Sequence, residues 1–165
     1  MLVIVGVVVG VIALCIIFFP KVTYVDARPA ASFGERYFSA LKHTEIDDAF
    51  AMYTDGFLQR AGQDWRRTIT ELDTRNGSVM DFKTKGAHVA PVILRDKTTL
   101  PCVLAAYQVT RKTLISEERL TICPHQRGAD YGIAGHEIIP PSGEHLIAGL
   151  TITEKTIYKY PNTHK

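Results

Sequence analysis

Residues 101–113 read PCVLAAYQVTRKT and carry the clearest strand pattern in the chain. Side chains alternate across a strand, so every second residue lies on the same face. The face predicted to be apolar contains Val103, Ala105, Tyr107 and Val109. The stretches 79–93, 119–123, 131–139 and 146–160 alternate less regularly or are rich in β-forming residues. From residue 79 onwards, the sequence therefore predicts an antiparallel sheet.

The hydrophobic period before residue 77 is helical. Residues 32–35, SFGE, form a capping box that predicts a first helix beginning at Ser32, after an extended tether over 22–31 that contains Pro29. A second cap at 44–47 predicts a short helix, and Asp64 is predicted to cap a third. Helices followed by strands predict an α+β domain, with about three helices packed on a curved antiparallel sheet.

The composition is that of a globular domain with no strong charge excess. The chain has 165 residues, of which 46% are hydrophobic and 22% charged, and its 19 basic and 17 acidic side chains give a net charge of +2. Once the apolar head is set aside, about 140 residues remain, enough for one domain with its own core. Nucleic-acid binding is not expected, because a basic stripe or large basic excess is missing.

The head of the chain has the length and composition of a membrane span. Residues 2–19 contain no charged side chain, and as a helix rising ~1.5 Å per residue they would cover ~27 Å of the ~30 Å hydrocarbon core. A signal peptide would have a positive n-region and a shorter apolar run. We therefore predict a single transmembrane anchor over 1–21, a tether over 22–31, the α+β domain over 32–140, and a β-rich C-terminal extension over 141–165.

Small residues mark one face of the predicted anchor. Gly6, Gly10 and Ala13 lie close together on a helix, and such faces allow another helix to approach closely within the lipid. Glycine is also common in membrane helices without any such contact. The expected partners are membrane lipid and other subunits of a membrane complex.

The two cysteines that follow the predicted anchor could indicate the cellular compartment in which the domain lies. Strand alternation places Cys102 and Cys123 on the same face, so they could be bridged if their Cα atoms lie within about 7 Å. A turn near 116–118 would instead place Cys123 opposite residue 111, which leaves the pairing open. A disulfide would favour an oxidising compartment, here the periplasmic side of a bacterial inner membrane. Lys21, Arg28 and Arg36 follow the span and favour the cytoplasmic side.

Catalytic and metal-binding patterns are weak. An acid–base enzyme would need a tuned carboxylate or histidine, for which the candidates are Asp47, Asp48 and His136, with Tyr53 or Tyr107 as hydrogen-bond donors. No spacing connects them: the aspartates most simply solvate the second helix, and His136 fits a satisfied histidine at the edge of the sheet. We therefore expect no catalytic residue.

A metal site is not expected either. Cys123, Pro124 and His125 place two ligand types close together, and Cys102 or His136 could complete a set. Zinc sites usually have paired ligands at tight spacings, and a single Cys-x-His unit lacks them. The sequence therefore predicts no metal and no cofactor.

Three passages resemble the α+β cone superfamily of nuclear transport factor 2 and ketosteroid isomerase. ERYFSALKHTEIDDAFAMYTDGF (35–57) resembles its paired opening helices, DWRRTITELDTRNGSV (64–79) its third helix, and ERLTICPHQRGADYGIAGHEI (118–138) its closing hairpin. The resemblance implies a cone-like fold that serves as a pocket or as a docking surface. Membrane-tethered members without enzymatic activity are common in this superfamily.

These features predict a non-catalytic, single-span accessory or scaffold subunit of a larger respiratory, photosynthetic or secretion complex. The alternatives are a tethered domain that binds or senses a small ligand and, less favoured, an isomerase- or dehydratase-like enzyme. Residues 146–165 are expected either to add to a partner's sheet edge or to complete the sheet of their own domain.

Overall fold

The computed structural model describes residues 26–93, 99–124, 131–141 and 143–150. The predicted anchor with Gly6, Gly10 and Ala13, and residues 151–165 of the predicted extension, lie outside these ranges. Among the helices within them, none combines the length and the apolar character needed to cross a membrane.

Three helices precede the sheet, as predicted: α1 (Arg28–Lys42), α2 (Ile46–Ala51) and α3 (Asp55–Asn76). The predicted start of α1 at Ser32 is wrong, because the helix already begins at Arg28. Pro29 lies in the first turn, where the missing N–H of proline costs no hydrogen bond. The segment 28–31 therefore belongs to α1 and not to an extended tether.

The third helix also begins earlier than predicted. Thr54 is its N-cap, and the Thr54 side chain accepts a hydrogen bond from the backbone N–H of Phe57. Asp64 lies inside the helix, on its exposed side, and does not cap it. The helix ends where the sequence predicts, at Gly77, whose φ of +81° is accessible to glycine without strain.

Five antiparallel strands follow in the order β1-β2-β3-β4-β5, which confirms the α+β class. They are β1 (Val79–Ile93), β2 (Thr99–Arg111), β3 (Ile115–Pro124), β4 (Tyr131–Ile139) and β5 (Leu146–Gly149). Strand β5 pairs with β4, from Ile138 opposite Leu146 to Gly135 opposite Gly149. The domain therefore continues past residue 140, and the described part of the predicted extension completes the domain's own sheet.

The main core lies between the helices and one face of the sheet. The alternating apolar residues of β2 are buried as predicted: Val103, Ala105, Tyr107 and Val109. Aromatic side chains of α1 pack on this face, and the rings of Phe38 and Tyr107 lie 4.8 Å apart between centroids. Burying each such side chain contributes about 1.5–3 kcal/mol.

The opposite face of the sheet carries a smaller apolar cluster around a disulfide. Cys102 and Cys123 are bonded to each other, with their Cα atoms 4.2 Å apart. The alternative of a turn near 116–118, which would have separated the cysteines, does not form: the β2–β3 turn lies at 112–114, where the Arg111 N–H donates to the Leu114 carbonyl. With that turn, Val103 pairs with Ile122, and the next residues outward are the two cysteines.

Candidate functional site

A chain of buried polar side chains crosses the main core. It runs from Asp73 on α3, through Arg111 on β2 and Glu118 on β3, to His136 on β4. Beyond His136 it continues to a tyrosine–tryptophan group formed by Tyr53, Tyr37 and Trp65. The seven side chains, which we call the polar chain, connect two of the three helices and three of the five strands.

An ion pair between Arg111 and Glu118 forms the charged half of the polar chain. Arg111 Nη1 donates to Glu118 Oε1, which also accepts a hydrogen bond of 3.1 Å from Ser116 Oγ. Arg111 Nε donates to Asp73 Oδ1 at 3.1 Å. Both side chains of the pair are fully buried. Within the described part of the chain, Arg111 Nη2 is buried without a hydrogen-bond partner.

The neighbours of Glu118 keep its carboxylate ionised. Burial by itself would raise the pKa of Glu118, but the hydrogen bond from His136 and the charge of Arg111 outweigh it and lower that pKa to about 2. Burial likewise acts to lower the pKa of Arg111, and the charge of Glu118 reverses the effect and raises it. The core therefore holds a charged pair at neutral pH.

His136 connects this ion pair to the tyrosines. Its Nε2 lies 3.0 Å from Glu118 Oε2, and since an ionised carboxylate only accepts, Nε2 carries the hydrogen. Its Nδ1 lies 2.8 Å from the hydroxyl oxygen of Tyr53. The hydrogen bond to Glu118 thus orients the His136 ring so that Nδ1 faces the Tyr53 hydroxyl.

Tyr53 is the branching point of the uncharged half. Its hydroxyl oxygen accepts a hydrogen bond of 2.9 Å from Trp65 Nε1 and lies 2.9 Å from the hydroxyl oxygen of Tyr37. Tyr53 donates to Tyr37, and the direction of its hydrogen bond with His136 Nδ1 depends on the hydrogens of the His136 ring. Burial raises the pKa of both Tyr37 and Tyr53, so both hydroxyls keep their hydrogens.

A histidine between a carboxylate and a hydroxyl has the components of an acid–base site. In this structure those components are sealed. Tyr37, Tyr53, Glu118 and His136 are at most 2% exposed, and Trp65 is 4% exposed. Tyr37, Tyr53, Glu118 and His136 are therefore closed to a substrate in this conformation, and their hydrogen bonds connect secondary-structure elements.

The structure brings together two of the five candidate catalytic residues, Tyr53 and His136. The expected edge position of His136 is wrong, because its side chain is buried in the main core. Tyr107 donates instead to the carbonyl of Ala31 at 2.8 Å. Asp47 and Asp48 are exposed on α2, and Asp47 pairs with Arg66 at 2.6 Å.

The sequence analysis missed five of the seven members of the polar chain: Arg111, Glu118, Tyr37, Trp65 and Asp73. Strand alternation could have indicated that the first two are buried. Arg111 shares a strand face with the buried Val109, and Glu118 shares one with the buried Leu120. An arginine and a glutamate at inward positions of neighbouring strands indicate a buried ion pair.

The candidate metal ligands do not assemble. Cys102 and Cys123 are bonded to each other, and His125 lies outside the described residues. Within the described ranges, no three histidine, cysteine, aspartate or glutamate side chains lie close enough together to hold a metal ion.

A second candidate site is an open trough between α3 and β5, with a volume of about 470 Å³. Ala61, Trp65 and Thr68 of α3 line one side, and residues 144–149 line the other. Trp65 belongs both to the trough and to the polar chain, because it is among the residues that line the trough and its Nε1 donates to Tyr53.

The comparisons with known proteins give no family for this chain. No protein-family model, curated protein or solved structure matches it.

Proposed function

We propose that this chain is a non-catalytic, membrane-anchored accessory or scaffold subunit of a larger inner-membrane complex. The sealing of the polar chain carries the proposal. Among the described residues, Tyr37, Tyr53, Glu118 and His136 are buried in the main core and already hydrogen-bonded to one another. A domain with its polar groups so occupied is suited to present a fixed outer surface to another protein.

Residues outside the described ranges supply the anchor in this proposal. The uncharged run 2–19 is long enough to span the bilayer as a helix, and Gly6, Gly10 and Ala13 form its contact face. The soluble domain lies in the periplasm. The Cys102–Cys123 disulfide supports that side, because disulfides persist in oxidising compartments.

We also propose that the domain belongs to the cone superfamily of nuclear transport factor 2 and ketosteroid isomerase. The order of elements supports this, since three helices precede one antiparallel sheet and cover one of its faces. The side chains that would line a ligand pocket in such a cone, among them His136 and Tyr53, contact one another instead.

The decisive experiment is gentle detergent extraction from the native membrane, followed by size separation and mass spectrometry of the proteins that travel with this chain. We expect the chain to migrate in a large assembly, and the proteins identified in that assembly then show which complex is the host. Migration of the chain alone as a small particle would contradict the subunit proposal.

A variant pair tests the anchor face separately. Gly6→Leu with Gly10→Leu fills the small-residue face and is expected to reduce co-purification while leaving the soluble domain folded. Val8→Leu with Ile12→Leu alters the opposite face of the same helix and serves as the control. Full co-purification of the glycine variant would show that this face makes no contact.

A further inference from the structure

One end of the paired strands β1 and β2 carries no charged side chain. Residues 89–93 and 99–103 pair with each other, and none of them is charged. Four of these residues are nevertheless exposed, and we call them the uncharged end: Pro91, Ile93, Thr99 and Pro101. The side chain of Ile93 is 43% exposed. Exposed, largely apolar patches generally mark a contact surface.

The other part of β1 has the opposite character. Its exposed side chains include those of Asp81, Lys83, Lys85 and His88. The exposed side chains of this one strand therefore change from charged or polar to uncharged along its length. The charged part suits contact with water, and the uncharged end suits less polar surroundings.

Helix α1 shows where the uncharged end lies relative to the beginning of the domain. Near the end of α1, Lys42 pairs with Asp81 at 3.7 Å. Nearer its beginning, Glu35 accepts a hydrogen bond of 2.6 Å from Thr84. The helix therefore runs antiparallel to β1. The beginning of α1, which follows the anchor segment, and the uncharged end lie toward the same end of the domain.

The lengths of the two elements place the uncharged end beyond the beginning of the helix. Asp26 precedes Lys42 by 16 residues, which is about 24 Å at the helical rise. Ile93 follows Asp81 by 12 residues, which is about 40 Å at the strand rise. The uncharged end therefore projects about 15 Å past Asp26.

The anchor limits where the bilayer can lie. In the proposed function the anchor ends at Lys21, and the five residues from there to Asp26 reach at most about 18 Å. The sheet end at Asp81 is about 24 Å from Asp26, so the anchor cannot bring that end to the bilayer. The uncharged end, about 15 Å from Asp26 in the other direction, is within reach.

Two prolines suit the uncharged end to a layer with little water. Pro91 and Pro101 lie opposite each other in the register of β1 and β2. Proline has no backbone N–H, so neither residue leaves a donor unsatisfied when lipid displaces water from the exposed edge. Unsatisfied backbone groups are the main cost of placing strand edges near hydrocarbon.

We propose that the uncharged end of β1 and β2 contacts the surface of the phospholipid bilayer, with Pro91, Ile93 and Pro101 in the headgroup layer beside the anchor. The anchor supplies the proximity, and the apolar side chains supply the contact. The contact orients the domain, so that Ile115, at the other end of the sheet, points away from the membrane. The inference rests on the proposed membrane anchor, to which it adds a second attachment.

Lipid quenching at two matched positions tests the contact. The full chain with Cys15→Ala receives one labelling site, Ile93→Cys or Ile115→Cys, and is labelled with a fluorophore without reductant, which keeps the Cys102–Cys123 disulfide. Ile115 is the control, because it is 50% exposed and pairs with Thr110, beside Asp81. The protein is reconstituted in vesicles of phosphatidylcholine and phosphatidylglycerol, with and without a lipid that carries a nitroxide on its headgroup.

The label at position 93 is expected to lose emission in the nitroxide vesicles, and the label at position 115 is expected to keep it. Equal losses at the two positions, or no loss at position 93, would overturn the proposal. The second outcome is the one expected if another subunit or other residues of this chain cover the uncharged end.

A pair of variants tests whether apolar character maintains the contact. In a chain labelled at Thr99→Cys, which pairs with position 93, Ile93→Asp is expected to remove most of the quenching. Ile115→Asp is expected to leave it unchanged. The isoleucines are 43% and 50% exposed, so neither aspartate is fully buried, and circular dichroism compares the folds of the two variants. Unchanged quenching in a folded Ile93→Asp chain would overturn the proposal.

Extraction of the membranes with alkaline carbonate separates failure of this inference from failure of the proposed anchor. If the chain stays in the membrane pellet and the label at position 93 is not quenched, the anchor is supported and this inference is wrong. If the chain is released into the supernatant, it has no membrane span, and both proposals are wrong.

Discussion

The two faces of the sheet are stabilised by different means. The face under the helices carries a connected set of charged and hydrogen-bonded side chains, including Glu118 and His136, within an aromatic core. The other face carries a small apolar cluster tied by the Cys102–Cys123 disulfide. On the face under the helices, which we call the inner face, each polar group depends on hydrogen bonds to its neighbours. On the opposite, outer face, a covalent bond joins the strands. The inner face should therefore respond to single substitutions and to pH, and the outer face to reductant.

The largest expected effect is the loss of a charge from the inner face. Glu118→Ala leaves Arg111 buried with only Asp73 to pair with, and removal of one partner of a buried ion pair typically costs about 3–5 kcal/mol. The free energy of unfolding, measured by urea titration, is the test. Glu117→Ala, one residue away with its side chain 40% exposed, is the control and should change stability by less than about 0.5 kcal/mol. Equal effects would show that Glu118 is not coupled to its neighbours.

The second-largest loss of stability is expected when the disulfide of the outer face is removed. Cys102→Ala with Cys123→Ala opens a bridge between residues 21 apart in sequence. Chain-entropy arguments predict a loss of about 3 kcal/mol for a loop of this size. Dithiothreitol is expected to lower the melting temperature of the wild-type domain toward that of the double variant, and to leave the variant unchanged. If dithiothreitol also lowered the melting temperature of the double variant, the effect of the reductant would not come from the Cys102–Cys123 disulfide.

Acid should weaken the inner face selectively. The folded-state pKa of Glu118 is lowered to about 2 from an ordinary value of 4.5, so its contribution to stability is present above pH 4.5 and is lost as the pH falls toward 2. Linkage then predicts a loss of about 2 kcal/mol between pH 7 and pH 3 from this group. Burial raises the pKa of Asp73, which opposes the effect in part.

The measurement is the free energy of unfolding at several pH values, for the wild type and for Glu118→Gln. The variant cannot titrate at this position, so its curve should be flatter between pH 5 and pH 3. If the free energy of unfolding changed with pH in the same way for both proteins, Glu118 would not be the cause of the loss of stability in acid.

The sequence predicted the fold class well because periodicity determines it. The alternation in β2 and the stop at Gly77 follow from local geometry, and both appear where expected. The helix starts were missed because Pro29 and Thr54 compete with the stronger-looking caps at Ser32 and Asp64, and packing against the sheet decides between them. The polar chain was found only in part, because its hydrogen-bonded neighbours are up to 83 residues apart along the chain and the tertiary fold brings them together.

The smallest effects compare two buried tyrosines of the inner face. The Tyr53 hydroxyl contacts three partners, Tyr37, His136 and Trp65, whereas Tyr107 donates one hydrogen bond to a backbone carbonyl at 2.8 Å. Tyr53→Phe leaves Trp65 Nε1 without an acceptor and His136 Nδ1 without its hydrogen-bond partner, which should cost about 2 kcal/mol. Tyr107→Phe removes one bond and should cost about 1 kcal/mol. The tryptophan emission should also shift in Tyr53→Phe and not in Tyr107→Phe, because only the former changes a hydrogen bond of Trp65. Equal destabilisation by the two variants would mean that the hydroxyl of Tyr53 does not link the tryptophan and histidine, and that the polar chain ends at His136.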